Sequence, residues 1–179
     1  MTRRGLILGA SVTSTMAATL AAQTKKAKAV AKKHIKVSLP GGKSIDTAQM
    51  VGSVYAVTIF KTTCPHCQKS LPITEKIVKE LGAKGFKAIG VAVDTGAEPL
   101  VVDFAKNFRV SFPLGWAPIP EICEFVDLKP EQLYVPAMMI FDRGGKLRGR
   151  YPGGDSFFNM EELNLRNMVE MLLKEPRKA

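Results

Sequence analysis

The sequence predicts an α/β fold in which helices flank a central mixed β-sheet and the chain begins with a β-hairpin. Three observations support this fold class. Apolar runs typical of buried strands alternate with stretches of helical periodicity, an alternating segment with a tight turn comes first, and a hairpin turn precedes the last helix. With 179 residues, and about 150 residues in a typical domain, the chain suits one domain with a tail.

The strands are predicted from their apolar periodicity. Residues 35–39 alternate apolar and polar side chains, and Pro40 with two glycines supplies the turn into a second short strand at 43–46. The run at 54–60 is almost continuously apolar and rich in β-branched residues, as a central strand requires. Further strands are expected at 86–93, at 137–141 and, after the turn Asp142-Arg143-Gly144-Gly145, at 146–151.

Three helices are predicted from apolar residues at helical spacing. This spacing runs over Leu71, Ile77, Val78 and Leu81 in the first helix and over Leu100, Val101, Phe104 and Phe108 in the second. Gly82 is a natural stop for the first helix. Asn159 is the expected N-cap of the last helix, with Glu162 in the capping-box position. Residues 113–133, which include several prolines, give no clear assignment.

Composition excludes several classes of protein. Apolar residues make up 46% and charged residues 23%, which is ordinary for a globular chain and excludes disorder throughout. The chain has no uninterrupted apolar run of about eighteen residues, so a multi-span membrane protein is excluded. Three cysteines are too few for a small domain stapled by disulfides.

The formal charge of +10 is concentrated near the ends of the chain. Lysines crowd residues 25–33, Arg3 and Arg4 lie at the start, and Arg177 and Lys178 lie at the end. No aromatic residues interleave with the lysine cluster, as a stacking site for single-stranded nucleic acid requires. We therefore expect solvated tails and no nucleic-acid partner.

Residues 1–22 have the layout of a secretory signal peptide. Two arginines precede an uncharged, mildly apolar stretch rich in small residues. The run at 2–7 also resembles a twin-arginine signal, which exports folded proteins, and an uncleaved membrane anchor is the alternative. Residues 23–34, rich in Lys and Ala, are then a flexible linker, and the domain spans 35–175. The expected location is the periplasm or the cell envelope.

Cys64-Pro65-His66-Cys67 is the motif that carries chemistry. It follows a predicted buried strand and opens a helix, the context in which CxxC indicates a redox site. Cysteines on one helical turn fall within the roughly 7 Å between Cα atoms that a disulfide allows. The helix N-terminus offers unpaired N–H groups and the positive end of the dipole, which favour a thiolate at Cys64. Cys64 is therefore predicted as the exposed nucleophile and Cys67 as the resolving thiol.

Other interpretations of the cysteines have less support. A zinc site needs a second pair of ligands, and only Cys123, His34 and His66 remain for it. A structural disulfide closing so short a ring constrains the unfolded chain little. No metal and no bound cofactor are therefore expected. Cys123 lies in an apolar setting and is expected to be buried and inert, with pairing between chains or a redox relay as alternatives.

Residues 35–173 resemble the thioredoxin superfamily, and within it the TlpA/ResA group of exported thiol–disulfide proteins and related redoxin-domain proteins. The strand VYAVTIF runs into TTCPHCQKSLP, where Pro72 occupies the position of the family's helix proline. The run FKAIGVAVD, which ends at Asp94, is similar to the family's next strand. The run VPAMMIFDRGGKLRGRYPG is similar to the family's block of cis-proline, strand, turn and strand.

The resemblance implies a thioredoxin-like fold and a cis peptide bond between Val135 and Pro136, across from the CxxC pair; a trans proline at a strand start is the alternative. Val135 would present its backbone to an extended substrate segment, and Thr63, where the family usually has Trp, is expected to contact substrate too. The implied partners are protein thiols and disulfides, with a membrane electron donor or acceptor as a further candidate. The expected catalytic residues are Cys64, Pro65, His66, Cys67 and Pro136.

Some positions depart from the family pattern. Thr58 stands where family reductases often carry an acidic residue, and Ser70 stands where TlpA/ResA members often carry Glu. These changes remove the buried carboxylates expected to relay a proton to the resolving thiol. Pro65-His66 is the dipeptide of DsbA-type oxidases, and His66 would stabilise a thiolate at Cys64. These features favour an oxidising or isomerising protein, whereas the resemblance to the TlpA/ResA group favours a reductase.

The sequence thus predicts an exported thiol–disulfide oxidoreductase that exchanges a Cys64–Cys67 disulfide with protein substrates. One alternative is a peroxiredoxin-like thiol peroxidase, which requires Thr or Ser three residues before the reactive cysteine, where this chain has Lys61. The other is a Sco-like copper-binding or delivery protein, which requires a distant His ligand. Only His34 and His66 exist for that role.

Overall fold

A computed structural model describes residues 34–176 of the chain. These residues form one seven-stranded sheet in the order β2-β1-β5-β4-β3-β6-β7. Pairs β3–β4 and β4–β5 are parallel, and the other pairs are antiparallel. The strands are β1 Lys36–Leu39, β2 Lys43–Asp46, β3 Val54–Phe60, β4 Phe86–Ala92, β5 Leu114–Trp116, β6 Ala137–Phe141 and β7 Leu147–Tyr151. The fold is thioredoxin-like, as predicted, and begins with the expected hairpin of β1 and β2.

Four helices cover the two faces of the sheet. They are α1 Pro65–Leu81, α2 Ala97–Asn107, α3 Ile119–Val126 and α4 Glu161–Lys174. All seven side chains of β3 are buried, and they alternate between the faces. Val54 and Ala56 pack with residues of α1 and α4, whereas Tyr55 and Val57 pack with α3. Helix α2 joins the face of α1 through a cluster that includes Phe104.

The structure assigns elements to one region that the sequence left open, and it corrects the predicted start of the last helix. The region 113–133 without assignment contains β5, α3 and a short 3-10 helix at Pro130–Gln132. The predicted capping box of the last helix is wrong. Asp155 caps a 3-10 turn at Ser156–Met160 by accepting a hydrogen bond from the Phe157 N–H, and α4 follows directly. Asp and Asn are equally good N-cap residues. In the structure the helical segment begins at Asp155, one turn before Asn159.

The segment predicted as a signal peptide and the linker before His34 lie outside the described residues. Within residues 34–176, no helix is both long and apolar enough to cross a membrane. β3 and β4 run parallel in register from Val54↔Phe86 to Phe60↔Ala92, so both strands end at the same edge of the sheet. The residues that follow them, together with the start of β6, form the site described next.

Candidate active site

The CxxC motif lies where β3 ends and α1 begins. Cys64 is the N-cap residue of α1, and Pro65 is the first helical residue, where its missing N–H costs no hydrogen bond. The Cys64 N–H donates to the Lys61 carbonyl at 3.1 Å, and the Cys64 carbonyl accepts from the Gln68 N–H at 3.0 Å. These bonds fix the turn that places both cysteines on the first turn of the helix.

The two thiols differ in exposure, and burial changes the ionisation of Cys67. Both are free thiols, but Cys64 is partly exposed and Cys67 is completely buried. Burial raises the pKa of Cys67, a backbone hydrogen bond from Lys61 lowers it, and interactions with Cys64 and Asp94 raise it again. The net effect is a pKa well above the usual value for a thiol. Cys67 is therefore held as a neutral thiol, while Cys64 is the sulfur that a large molecule can reach.

The loop before β6 lies against Cys64. The Val135–Pro136 peptide bond is cis, as the family resemblance implied. The Cys64 thiol donates to the Val135 carbonyl with a sulfur–oxygen distance of 3.7 Å. Pro136 is buried, Val135 is half-buried, and the preceding Tyr134 is 67% exposed. A partly exposed stretch of backbone therefore lies next to the Cys64 sulfur.

Gly153, after β7, shapes this same loop. A Cβ atom at Gly153 would lie 2.4 Å from the carbonyl carbon and the carbonyl oxygen of Tyr134. No real side chain approaches a backbone so closely, so the position requires glycine. The turn after β7 thereby holds the backbone that leads into Val135.

Most of the residues predicted for the site meet at this edge of the sheet. Thr63, Pro65 and His66 are exposed around the two cysteines, and the loop of Val135 faces them. His34 is elsewhere. Its ring lies 4.0 Å from the Cβ position of Gly145, in the β6–β7 turn, at the opposite end of the strands. The distant His that a copper site needs is therefore not brought to the CxxC pair, and residues 34–176 contain no cluster of potential metal ligands.

A buried carboxylate lies beside Ser70, contrary to the expectation from the sequence. Thr58 and Ser70 are both 1% exposed, and the Thr58 hydroxyl has no hydrogen-bond partner among the described residues. The Ser70 hydroxyl, however, donates to the carboxylate of Glu161, the first residue of α4. Glu161 is 6% exposed, and burial raises its pKa, while the Ser70 bond lowers it in part. No local pattern connects two residues 91 positions apart, which is why sequence reasoning missed this pair.

Cys123 lies on α3, across the sheet from α1. It is buried, as expected, with 6% of its surface exposed. Burial raises its pKa, and the charge of Glu131 adds to that rise. The third thiol is thus separate from the CxxC pair and is held in its neutral form.

Comparison with known proteins identifies the family of the chain. Residues 22–163 match the Redoxin family model. The thiol-disulfide oxidoreductase ResA of Halalkalibacterium halodurans is 22% identical over 134 residues, which cover 75% of this chain and 70% of that protein.

Solved structures share the fold. A thioredoxin family thiol:disulfide interchange protein of Chlorobium tepidum TLS has a TM-score of 0.65 and 23% identity, covering 79% of this chain and 94% of that one. The thioredoxin domain of a thiol-disulfide oxidoreductase from Bacteroides vulgatus has a TM-score of 0.65 and 19% identity, with coverages of 79% and 94%. The chain belongs to the redoxin family and is a thiol–disulfide oxidoreductase with a thioredoxin-like fold.

Proposed function

We propose that the protein works outside the cytoplasm and exchanges a Cys64–Cys67 disulfide or dithiol with protein substrates. The observation that carries this proposal is the contrast between the two sulfurs. Cys64 is partly exposed beside the Val135 carbonyl, whereas Cys67 is buried one turn along the helix with a raised pKa. An attacking sulfur must be reached by the substrate, and a resolving sulfur must be shielded from it.

In the reducing direction, the Cys64 thiolate attacks one sulfur of a substrate disulfide. The substrate S–S bond breaks, a mixed disulfide with Cys64 forms, and one substrate cysteine leaves as a thiolate that takes a proton. Cys67 then loses its proton and attacks the Cys64 sulfur, which releases the second substrate cysteine. The substrate gains two electrons and two protons, and the dithiol loses them. The oxidising direction is the reverse of these steps.

Substrate binding is assigned to the backbone around Val135. Its loop lies against Cys64, and an extended segment can pair with it as an added strand. Thr63 and the exposed His66 border the same opening. An unfolded or extended protein segment that carries a cysteine fits this arrangement better than a small compact ligand does, because most of the contact is with backbone.

A trapping experiment tests the assignment of the two cysteines. Cys67→Ser should accumulate mixed disulfides with protein substrates, and Cys64→Ser should accumulate none. Cys123→Ser is the matched control and should behave as the wild type, because Cys123 lies on the other face of the sheet. Trapping by Cys64→Ser but not by Cys67→Ser would reverse the roles. Rapid turnover of hydrogen peroxide without substrate exchange would support the peroxidase alternative instead.

The direction of electron flow is proposed to be oxidising or isomerising. His66 is exposed on the first turn of α1, where a donor or a positive charge stabilises a neighbouring thiolate and therefore the dithiol form. Thr58 puts no carboxylate on the central strand. We expect a reduction potential clearly less negative than that of cytosolic thioredoxin, which is about −270 mV.

A redox titration against glutathione tests this direction. His66→Leu should make the potential more negative, since it removes the donor next to Cys64. Lys69→Leu, one turn further along the exposed side of α1, is the control and should change the potential little. A wild-type potential at or below that of thioredoxin, or an unchanged potential in His66→Leu, would favour a reductase.

Export is proposed from the layout of residues 1–22 and has its own test. Cell fractionation should find the protein in the cell envelope, and replacing Arg3 and Arg4 by Lys should block export if the twin-arginine route is used. Sequencing the N-terminus of the purified protein separates a cleaved signal peptide from an uncleaved anchor.

A further inference from the structure

The steps above give no role to Asp94, a carboxylate at this edge of the sheet. It follows β4 closely, and the Val93 N–H donates to the Phe60 carbonyl at 2.9 Å, so the pairing of β4 with β3 continues past the strands. Asp94 is thereby placed beside Lys61 and Thr62, the residues that lead from β3 into the CxxC motif.

Both oxygens of the Asp94 carboxylate accept hydrogen bonds from Thr62. The Thr62 N–H donates to Oδ2 at 2.9 Å, and the Thr62 hydroxyl donates to Oδ1 at 2.7 Å. The remaining polar group of Thr62, its carbonyl, accepts from the Gln68 side-chain amide at 2.9 Å. Every polar group of Thr62 is therefore engaged, from β4 on one side and from α1 on the other. A residue held this way cannot shift unless a charge-assisted hydrogen bond breaks.

The segment held by Asp94 contacts both cysteines. The Lys61 carbonyl accepts from the Cys64 N–H, and the backbone of Lys61 also hydrogen-bonds to Cys67. Burial raises the pKa of Cys67 most, interactions with Cys64 raise it further, and the charge of Asp94 adds a smaller rise. Cys64 and Asp94 are the ionisable side chains that raise the pKa of Cys67. His66 and Lys61 are nearby in sequence, but their side chains are exposed.

We propose that Asp94 is a positioning residue of the dithiol site, which holds the segment 61–63 beside the two cysteines through Thr62 and uses its negative charge to keep Cys67 in the thiol form. This inference rests on the proposed exchange reaction, because it assigns Asp94 to the step in which Cys67 attacks. Its consequence is that the resolving step depends on a carboxylate that touches neither substrate nor sulfur.

A two-phase release assay isolates that step. An aromatic disulfide reagent such as 5,5′-dithiobis(2-nitrobenzoic acid) releases one coloured thiolate when Cys64 attacks and a second when Cys67 resolves the mixed disulfide. Stopped-flow absorbance then gives the rate of each phase across a range of pH. Cys123 is replaced by Ala in every sample, so that two thiols contribute to the signal.

Asp94→Asn keeps the shape of the side chain but removes its charge. The second phase should therefore reach a given rate at a lower pH, and below the midpoint it should be about three- to tenfold faster, tenfold being one unit of pKa. Thr62→Val keeps the charge and removes one of the two bonds. This variant should leave the midpoint of the pH profile of the second phase unchanged and should slow both phases a few fold. Asp103→Asn, an exposed carboxylate on α2, is the control and should change neither.

The outcomes separate the two proposals. A wild-type protein with no second release would overturn the exchange reaction itself. Normal two-phase release with an unchanged midpoint in Asp94→Asn would overturn the charge role of Asp94 alone. If Asp94→Asn does not fold, as shown by circular dichroism, the wild type still decides the positioning role by amide hydrogen exchange. The Thr62 N–H should be protected at neutral pH, and exchange as fast as an open loop would overturn it.

Discussion

Two buried carboxylates, one in the middle of α1 and one facing its first turns, have pKa values shifted in opposite directions. Glu75, in the middle of the helix, is 4% exposed. It accepts hydrogen bonds from the N–H and hydroxyl of Ser111 and from the Phe112 N–H, and it pairs with Lys79. Burial by itself raises the pKa of Glu75, but these donors outweigh it and hold the pKa below the usual value.

Glu161, which faces the first turns of α1, has the opposite balance. It is as deeply buried as Glu75, but its hydrogen bond is to the single hydroxyl of Ser70, and burial raises its pKa. The difference separates the roles of the two parts of α1. A carboxylate with several donors stays ionised and ties α1 to the segment before β5, whereas one with a single donor readily takes up a proton.

The largest effect is expected at Glu75. Glu75→Gln keeps the size of the side chain but loses the charge and leaves buried N–H groups of Ser111 or Phe112 without a full partner. We expect a loss of about 3 kcal/mol in the free energy of unfolding at neutral pH, since hydrogen bonds to charged groups are worth roughly 1.5–3 kcal/mol each. Urea denaturation measures it. Glu80→Gln, exposed on the same helix, is the matched control and should cost much less.

The pH dependence gives this prediction its sign. Because folding lowers the pKa of Glu75, its stabilisation is fully present above the unfolded value of about 4.5 and is lost as the pH falls through the lower folded value. The gap between wild type and Glu75→Gln should therefore shrink on acidification. A gap that is constant from neutral to acidic pH would mean that shape, and not charge, makes Glu75 important.

Local signals in the sequence account for the site's framework. The apolar run of β3, the cysteines at a helix start and the similarity around Pro136 predicted which residues come together at the candidate site. The polar pairs that tune it could not be predicted, because they join distant segments: Ser70 with Glu161 and Glu75 with Ser111. Such pairs follow from tertiary packing and leave no periodicity in the sequence.

The capping of the last helix shows a second limit. Asp155 and Asn159 are both good N-cap residues one turn apart, so local energies hardly distinguish them. The structure selects Asp155, with a 3-10 turn between it and α4. That choice makes Glu161 the first residue of α4, where its side chain reaches Ser70.

An intermediate effect on stability is expected from Gly153→Ala, beside the loop that leads into Val135. The new Cβ would overlap the backbone of Tyr134, so the loop that carries Val135 must move. We expect a stability cost of about 1–2 kcal/mol, in the range of overpacking, and a larger proportional loss in the rate of exchange with a protein substrate. Gly82→Ala is the control, because it has φ −59° and no atom within 4 Å of the new Cβ. Equal losses of stability and exchange in both variants would show that Gly153 has no special role in the loop.

The smallest effect on stability, and the sharpest test of the comparison, is expected at Glu161. Folding raises its pKa, so its contribution to stability is fully present below the unfolded value of about 4.5 and is lost as the pH rises through the folded value. Glu161→Gln removes this loss, and its stability relative to the wild type should therefore improve between acidic and neutral pH.

The neighbouring Glu162 supplies the control for this last variant. It is partly exposed and pairs with Lys76 and Arg166, so Glu162→Gln should lose, and not gain, relative stability as the pH rises. Opposite slopes for two adjacent glutamates, measured by thermal unfolding across pH, are what the two environments require. Parallel changes of stability with pH would mean that the single bond from Ser70 stabilises the ionised Glu161 as well as several donors stabilise Glu75. The two carboxylates would then differ in position and not in ionisation.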